Sequence, residues 1–116
     1  MKKIITLILA ICAFHISNAQ TPIKIRDARA LAVGTTVTVR GLVTNGAELG
    51  QTIRYLQDST AGIAAYYTSA TMPTFATVQR GDSIEVTGTL KDFNALLELD
   101  PVTSFRIINS GNPITP

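Results

Sequence analysis

The sequence has no tryptophan and only one cysteine and one histidine. These two residues are Cys12 and His15, so the chain beyond residue 19 carries neither a thiol nor an imidazole. That part therefore cannot contain a cysteine or histidine nucleophile, a Ser-His-Asp triad, a disulfide framework, or a metal site built on thiolate or imidazole ligands. We expect no cofactor and no metal, and we predict that the protein is not an enzyme.

The first nineteen residues have the pattern of a secretory signal peptide. Lys2 and Lys3 form a positive start, a mostly apolar run follows over residues 4–16, and Ser17 and Ala19 are small residues suited to a cleavage site. The run is too short to span a bilayer comfortably. We predict cleavage before Gln20 and export to the periplasm or the extracellular medium, with no stable membrane insertion afterwards.

Two other interpretations of this segment stay open. A lipoprotein signal would use Cys12, but the bulky Ile11 stands before it where a small residue is wanted. A buried N-terminal helix is the second alternative.

The net charge of +2 belongs to the segment that is predicted to be removed. The rest of the chain has eight Lys and Arg residues against eight Asp and Glu residues. Nucleic-acid affinity comes mainly from neutralised phosphates and released counterions. Because the rest of the chain is neutral, we predict that any binding of nucleic acid depends on a few local residues and is not tight.

Residues 34–43 and 81–90 repeat one pattern. Each segment reads Gly, two polar residues, alternating apolar and polar residues, and a second Gly. The alternation indicates a half-buried strand, and a glycine within a strand permits the bulge or sharp bend that a small closed barrel needs. We predict that these segments are the two long, bent strands of a five-stranded barrel.

Shorter elements fill in around this pair. Further strands are predicted at residues 53–58, 63–68 and 96–99, and helical turns at residues 26–32 and 73–79. Asp100-Pro101 is expected to break the last strand, with a continuation over residues 102–108. The predicted domain covers residues 20–109, and residues 110–116 form a C-terminal tail or linker.

Four phrases occur in order along the chain: Val37-Thr38-Val39-Arg40-Gly41, Tyr55-Leu56-Gln57-Asp58, Gly81-Asp82-Ser83-Ile84-Glu85-Val86-Thr87-Gly88 and Phe93-Asn94-Ala95-Leu96-Leu97-Glu98-Leu99. This set resembles OB-fold domains of secreted bacterial proteins, in particular those attached to extracellular sugar-non-specific nucleases. The resemblance covers residues 23–112. It implies an all-β, five-stranded Greek-key barrel with one or two short helical turns, which binds oligonucleotide or oligosaccharide on strands two and three and the flanking loops. Because the sequence contains no catalytic nuclease domain, the resemblance implies a binding module only.

The alternation also predicts which side chains face the ligand. Arg40, Tyr55 and Tyr66 are expected to share the outer face of the first three strands, together with Thr38 and Ala64. Residues Lys91, Phe93 and Asn94, in the turn between strands four and five, are expected to hold the ligand from the side. The predicted ligand-binding residues are therefore Arg40, Tyr55, Tyr66, Lys91, Phe93 and Asn94.

Each of these residues has a structural alternative. Arg40 can pair with Glu85, a tyrosine on a sheet often covers the rim of the core, and Phe93 can fold back over the end of the barrel. Tyr67 is predicted to lie in the core.

Glu98 and Asp100 lie two residues apart and are expected to face one side of a strand. Paired carboxylates can hold a hard cation or hydrolyse glycosides. An acid-acid active site is disfavoured, because an acid before a proline at a bend more often makes a turn hydrogen bond. A calcium site is disfavoured because the sequence has no dense Asp/Asn loop.

The predicted partner is single-stranded nucleic acid or an oligosaccharide. The alternative function is a periplasmic or cell-surface accessory domain that contacts protein, glycan or peptidoglycan.

Overall fold

A computed structural model of the chain describes residues 20–67 and 72–114. The predicted signal peptide lies outside the described residues. In chain order the elements are helix α1 (Ile25–Arg29), strand β1 (Thr36–Val43), a 3-10 helix (Ala47–Leu49), strands β2 (Ile53–Gln57) and β3 (Gly62–Tyr66), a second 3-10 helix (Pro73–Thr77), and strands β4 (Ser83–Phe93) and β5 (Leu96–Asn109).

The strands close into a barrel in the order β1-β2-β3-β5-β4. Neighbouring strands are antiparallel except β3 and β5, which run parallel. The repeated pattern supplies its longest pairing: β1 lies against β4, with Val37, Val39, Ile84 and Val86 at most 3% exposed in the core. The predicted five-stranded barrel is confirmed.

Strand β5 bulges opposite Gly88, the mid-strand glycine of β4 at which the sequence permits a bulge. The pairing of β4 with β5 shifts register on both sides of Gly88. A Cβ at this position would lie 2.9 Å from the Pro101 carbonyl oxygen and 3.1 Å from Leu99 Cβ. Only glycine therefore allows the two strands to approach so closely here.

The predicted break at Asp100-Pro101 is wrong, since β5 runs through it as one strand. The bulge explains the difference: Gly88 pairs with Val102 and Leu90 pairs with Leu99, so Asp100 and Pro101 of β5 lie opposite the single residue Thr89 of β4, and the proline lies within the bulge. The residues after β5 are also attached to the barrel. The backbone N–H of Asn112 donates to the Gly81 carbonyl at 3.0 Å.

The helical elements are shorter than the sequence predicts. Helix α1 ends at Arg29 and the second 3-10 helix ends at Thr77. Strand β3 ends at Tyr66, and the predicted end at Thr68 lies outside the described residues.

Two side chains predicted to lie outside are covered. Thr38 is 3% exposed, and its hydroxyl lies 2.6 Å from the Thr87 hydroxyl and donates to Gln20 Oε1 at 3.4 Å. Ala64 is 1% exposed, in the middle of the sheet between β2 and β5.

Asp58 joins helix α1 to the turn between β2 and β3. Its Oδ2 atom accepts from the backbone N–H of Ile25 at 2.9 Å, and its Oδ1 atom accepts from the backbone N–H and hydroxyl of Thr60 and from the backbone N–H of Ala61. Burial raises the pKa of this carboxyl, but these hydrogen bonds outweigh burial and lower the pKa from 3.8 to about 2.

We expect this carboxylate to make stability depend on pH. A lowered pKa stabilises the fold fully above pH 3.8, and the contribution of about 2 kcal/mol is lost as the pH falls through about 2. Urea unfolding across this range should show the loss in the wild type and a flatter profile in Asp58→Asn. Asp27→Asn, whose side chain is 60% exposed, is the control. An equal pH dependence in wild type and Asp58→Asn would contradict the assignment.

Candidate ligand-binding groove

A row of paired residues crosses the outer face of the sheet. Tyr55 of β2 pairs with Ala64 of β3, Ala64 pairs with Glu98 of β5, and Glu98 pairs with Lys91 of β4. Ile53 and Tyr66 form the neighbouring pair on β2 and β3. The closure of the barrel thus brings four strands to one surface.

A cavity of about 320 Å³ lies on this surface, and we call it the groove. Its walls combine apolar, aromatic and charged side chains: Ile53, Tyr66, Lys91, Phe93, Leu96, Glu98 and Asp100. A volume at the lower end of the roughly 300–1,000 Å³ typical of ligand sites suits one base or one sugar unit.

The tip of the β4–β5 hairpin forms one wall of the groove. Asn94 and Ala95 make the turn with positive φ angles of 51° and 70°. The turn separates Phe93 from Leu96, which are 54% and 39% exposed. Two apolar side chains at the edge of a concave site are placed to cover a ligand.

A second cavity of about 220 Å³ lies beside the groove and includes Tyr55, Gln57 and Arg29 in its lining. Leu96 lines both cavities. The two cavities therefore flank one side chain of the hairpin tip.

The polar part of the groove is dominated by two carboxyl groups. Glu98 is 4% exposed. Burial first, and then the neighbouring Asp100 carboxyl, raise the pKa of Glu98, while the Lys91 ammonium opposes them. Lys91 donates to Asp100 Oδ2 at 3.3 Å, so the positive charge of Lys91 is already paired with a carboxylate.

The six predicted ligand-binding residues do not all come together. Tyr66, Lys91 and Phe93 line the groove and Tyr55 lines the neighbouring cavity, whereas Asn94 lines neither and forms the hairpin turn. Arg40 lines neither cavity.

Arg40 forms the ion pair that the sequence offers as its alternative. Its Nε atom donates to Glu85 Oε2 at 2.8 Å, and Arg106 approaches the same carboxylate at 3.3 Å. These two arginines lower the pKa of Glu85 by hydrogen bonding. Arg40 is thus placed to hold β1 against β4. Tyr67 lies in the core, as predicted, at 2% exposure.

Sequence reasoning missed Ile53, Leu96 and the two acids as groove residues. The sequence did contain a signal for the two acids, Glu98 and Asp100. Their spacing of two residues predicts that they share one face of a strand, and both line the groove. Ile53 and Leu96 resemble ordinary core residues in the sequence, and only the pairing of strands places them here.

Within residues 20–67 and 72–114, no group of three or more His, Cys, Asp or Glu residues is arranged to hold a metal ion. None of the helices in that same part of the chain has the length and apolar character needed to cross a membrane.

No protein-family model matches the sequence, and no curated protein matches it significantly. Solved structures do match. The hypothetical protein YgiW from E. coli is similar with a TM-score of 0.62 and 19% identity over 76% of this chain and 90% of that chain. Asparaginyl-tRNA synthetase from Pyrococcus horikoshii, complexed with asparaginyl-adenylate, has a TM-score of 0.66 and 17% identity over 79% of this chain, but only 23% of the synthetase. OBody AM1L10, bound to hen egg-white lysozyme, has a TM-score of 0.56 and 23% identity over 68% of this chain and 83% of the OBody.

These likenesses and the closed five-stranded barrel define the class of the protein: the chain has an OB fold. The predicted fold class is therefore confirmed.

Proposed function

We propose that this protein is an exported, non-enzymatic binding module, and that its ligand is single-stranded nucleic acid held in the groove. The observation that carries the proposal is the presence of Tyr66, Phe93 and Lys91 around one cavity on β2, β3 and the β4–β5 hairpin. This is the face on which OB barrels bind oligonucleotides and oligosaccharides.

The side chains suit stacking better than phosphate binding. Aromatic rings give about 1–3 kcal/mol for each stacked base, whatever the sequence. Lys91 and Arg40 are each paired with a carboxylate, and the chain beyond residue 19 is neutral. We therefore expect weak binding with little dependence on salt, since few counterions are released.

Sequence features support export and the absence of catalysis. Residues 1–19 have the charge, apolar run and small residues of a cleavable signal. The chain beyond them lacks histidine and cysteine, which are the commonest general base and the most reactive nucleophile in enzymes. The fold of this chain is similar to part of asparaginyl-tRNA synthetase, an enzyme whose name includes tRNA. This similarity of fold supports a nucleic-acid ligand.

A second candidate function is contact with protein, glycan or peptidoglycan as an accessory domain. The exposed Phe93 and Leu96 at the hairpin tip favour it, because apolar side chains at a surface suit a macromolecular partner. An OB barrel similar to this chain is bound to a protein, lysozyme.

Fluorescence anisotropy with labelled single strands of about eight nucleotides tests the first function. Purified protein should bind at micromolar concentrations and lose little affinity between about 50 and 200 mM salt. Tyr66→Ala and Phe93→Ala should each weaken binding about tenfold.

Val33→Ala is the matched control, because Val33 is 61% exposed and lines neither cavity. The absence of binding at high micromolar protein and low salt would overturn the nucleic-acid function. Binding that survives both aromatic substitutions would instead overturn the assignment to the groove.

A further inference from the structure

The two cavities follow one another along the face that β2 and β3 form. Ile53 and Tyr66, which pair across the two strands, line the groove. Gln57 and Gly62, which pair four residues further along β2, line the second cavity. Four residues of a strand span about 13 Å, and Leu96 lines both cavities. The face is therefore long enough for one extended ligand that enters both cavities.

The two cavities differ in charge. The groove contains the carboxyl groups of Glu98 and Asp100, and its cation, Lys91, is paired with Asp100. Among the described residues that line the second cavity, none is an aspartate or a glutamate, and Arg29 is the cation. Like charges repel and opposite charges attract. A phosphate group is therefore disfavoured in the groove and favoured in the second cavity.

Arg29 is an exposed arginine at the end of helix α1. Its Nη1 atom donates to the Gly62 carbonyl at 3.1 Å, which holds the guanidinium at the edge of the face formed by β2 and β3. This hydrogen bond uses one of five N–H donors, and within residues 20–67 and 72–114 no ion pair includes Arg29. The planar fork of a guanidinium matches the oxygens of a phosphate. The charge and the remaining donors of Arg29 thus suit an anionic ligand.

Resting on the proposed function, we propose that the second cavity is a phosphate subsite in which Arg29 contacts the backbone of the bound strand. One base lies in the groove beside Tyr66 and Phe93, the next base lies beside Tyr55, and Arg29 contacts a phosphodiester group of that second nucleotide. Phosphate contacts position a strand on a protein without reading its sequence. The contact with Arg29 therefore fixes where the strand lies, whatever its bases.

Two strands of about eight thymidines test the contact. One has the natural phosphodiester backbone, and the other has an uncharged methylphosphonate backbone. We expect the wild type to bind the natural strand about three- to fivefold more tightly. Only the natural strand should lose affinity, by about two- to threefold, between about 50 and 200 mM salt, which is the effect of one neutralised phosphate.

These measurements separate the contact from the proposed function. Equal affinity and an equal response to salt for the two strands would overturn the phosphate contact and leave the binding function standing. Binding of neither strand would overturn both.

The variant Arg29→Gln removes the charge. It should abolish both the preference for the natural strand and the salt dependence, while its affinity for the methylphosphonate strand stays that of the wild type. Arg26→Gln is the matched control, because Arg26 lies on the same helix, has a side chain that is 71% exposed, and lines neither cavity. A preference for the natural strand that survives in Arg29→Gln would overturn the role of Arg29.

A structural role of Arg29 would give a different result. If Arg29 only held helix α1 against β3 through the Gly62 carbonyl, Arg29→Gln would weaken the binding of both strands equally, and that outcome would contradict the proposal. Arg29→Lys keeps the charge and loses the fork, so it should keep the salt dependence and recover only part of the preference. Thermal unfolding of each variant checks that the barrel stays folded.

Discussion

Replacing Phe75 with alanine is expected to lower the free energy of unfolding by about 3–5 kcal/mol. Phe75 lies at the centre of the 3-10 helix between β3 and β4 and is 0% exposed. Its ring packs edge-on against Tyr67 at 5.2 Å and against Phe105 at 5.0 Å. The substitution removes buried apolar area and two aromatic contacts, and the surrounding strands of a closed barrel cannot easily move to fill the space.

Urea unfolding of the wild type and the variant measures this loss. Phe93→Ala is a control with the same substitution. Because Phe93 is exposed, we expect this variant to change the free energy of unfolding by no more than about 0.5 kcal/mol. A loss below about 1 kcal/mol for Phe75→Ala would contradict the core position. Because small domains are stable by only about 5–15 kcal/mol, the expected loss is a large share of the total.

The long strands could be predicted because one of their faces is buried. In β1 and β4 the alternation of Val37, Val39, Ile84 and Val86 with polar residues is the direct consequence of packing one side against the core. The glycine pattern is also informative, since Gly88 lies where a Cβ would collide with the neighbouring strand.

The groove could be predicted only in part. Alternation directs Tyr66 outward and the hairpin turn places Phe93 near the face, and both are in the groove. The parallel pairing of Ala64 with Glu98 depends on how the barrel closes, and no local pattern specifies that register. Glu98 was therefore recognisable as one of a pair of acids on a strand, but its position in the same groove as Tyr66 and Phe93 was not.

For Arg40 the direction of the side chain could be predicted, but its role could not. Alternation predicts that it faces outward, and the exposed side chain agrees. The register of β1 and β4 sets Arg40 directly opposite Glu85, so a charge that suggested phosphate binding in the sequence is neutralised within the sheet.

Arg54 is buried, although arginine side chains usually lie at the protein surface. It lies two residues before the buried Leu56 on β2, so alternation directs it inward, but arginine is rarely buried unless it is paired. Here it is 1% exposed, and no ion pair among the described residues includes it. Backbone carbonyl oxygens accept its donors instead: Val78 at 2.9 Å, Ile53 at 2.8 Å, and Gly50 and Ala76 at 3.1 Å.

These hydrogen bonds tie β2 to the chain segment that carries Phe75. The carbonyls of Ala76 and Val78 follow Phe75 directly, so the guanidinium fixes the same 3-10 helix that Phe75 anchors from the core side. The two side chains should therefore be coupled. In a double-mutant cycle, the loss for the combined variant should differ from the sum of the single losses by more than about 0.5 kcal/mol.

Arg54→Ala should lower the free energy of unfolding by about 2–4 kcal/mol, because it leaves buried carbonyl groups without donors. Arg54→Met keeps most of the volume and loses the donors, so it separates hydrogen bonding from packing. We expect it to recover only a minor part of the loss. Arg26→Ala is the matched control, since the Arg26 side chain is 71% exposed, and urea unfolding should show a change within about 0.5 kcal/mol. If Arg54→Met were as stable as the wild type, the carbonyl contacts would contribute nothing net and Arg54 would act as a space-filling residue.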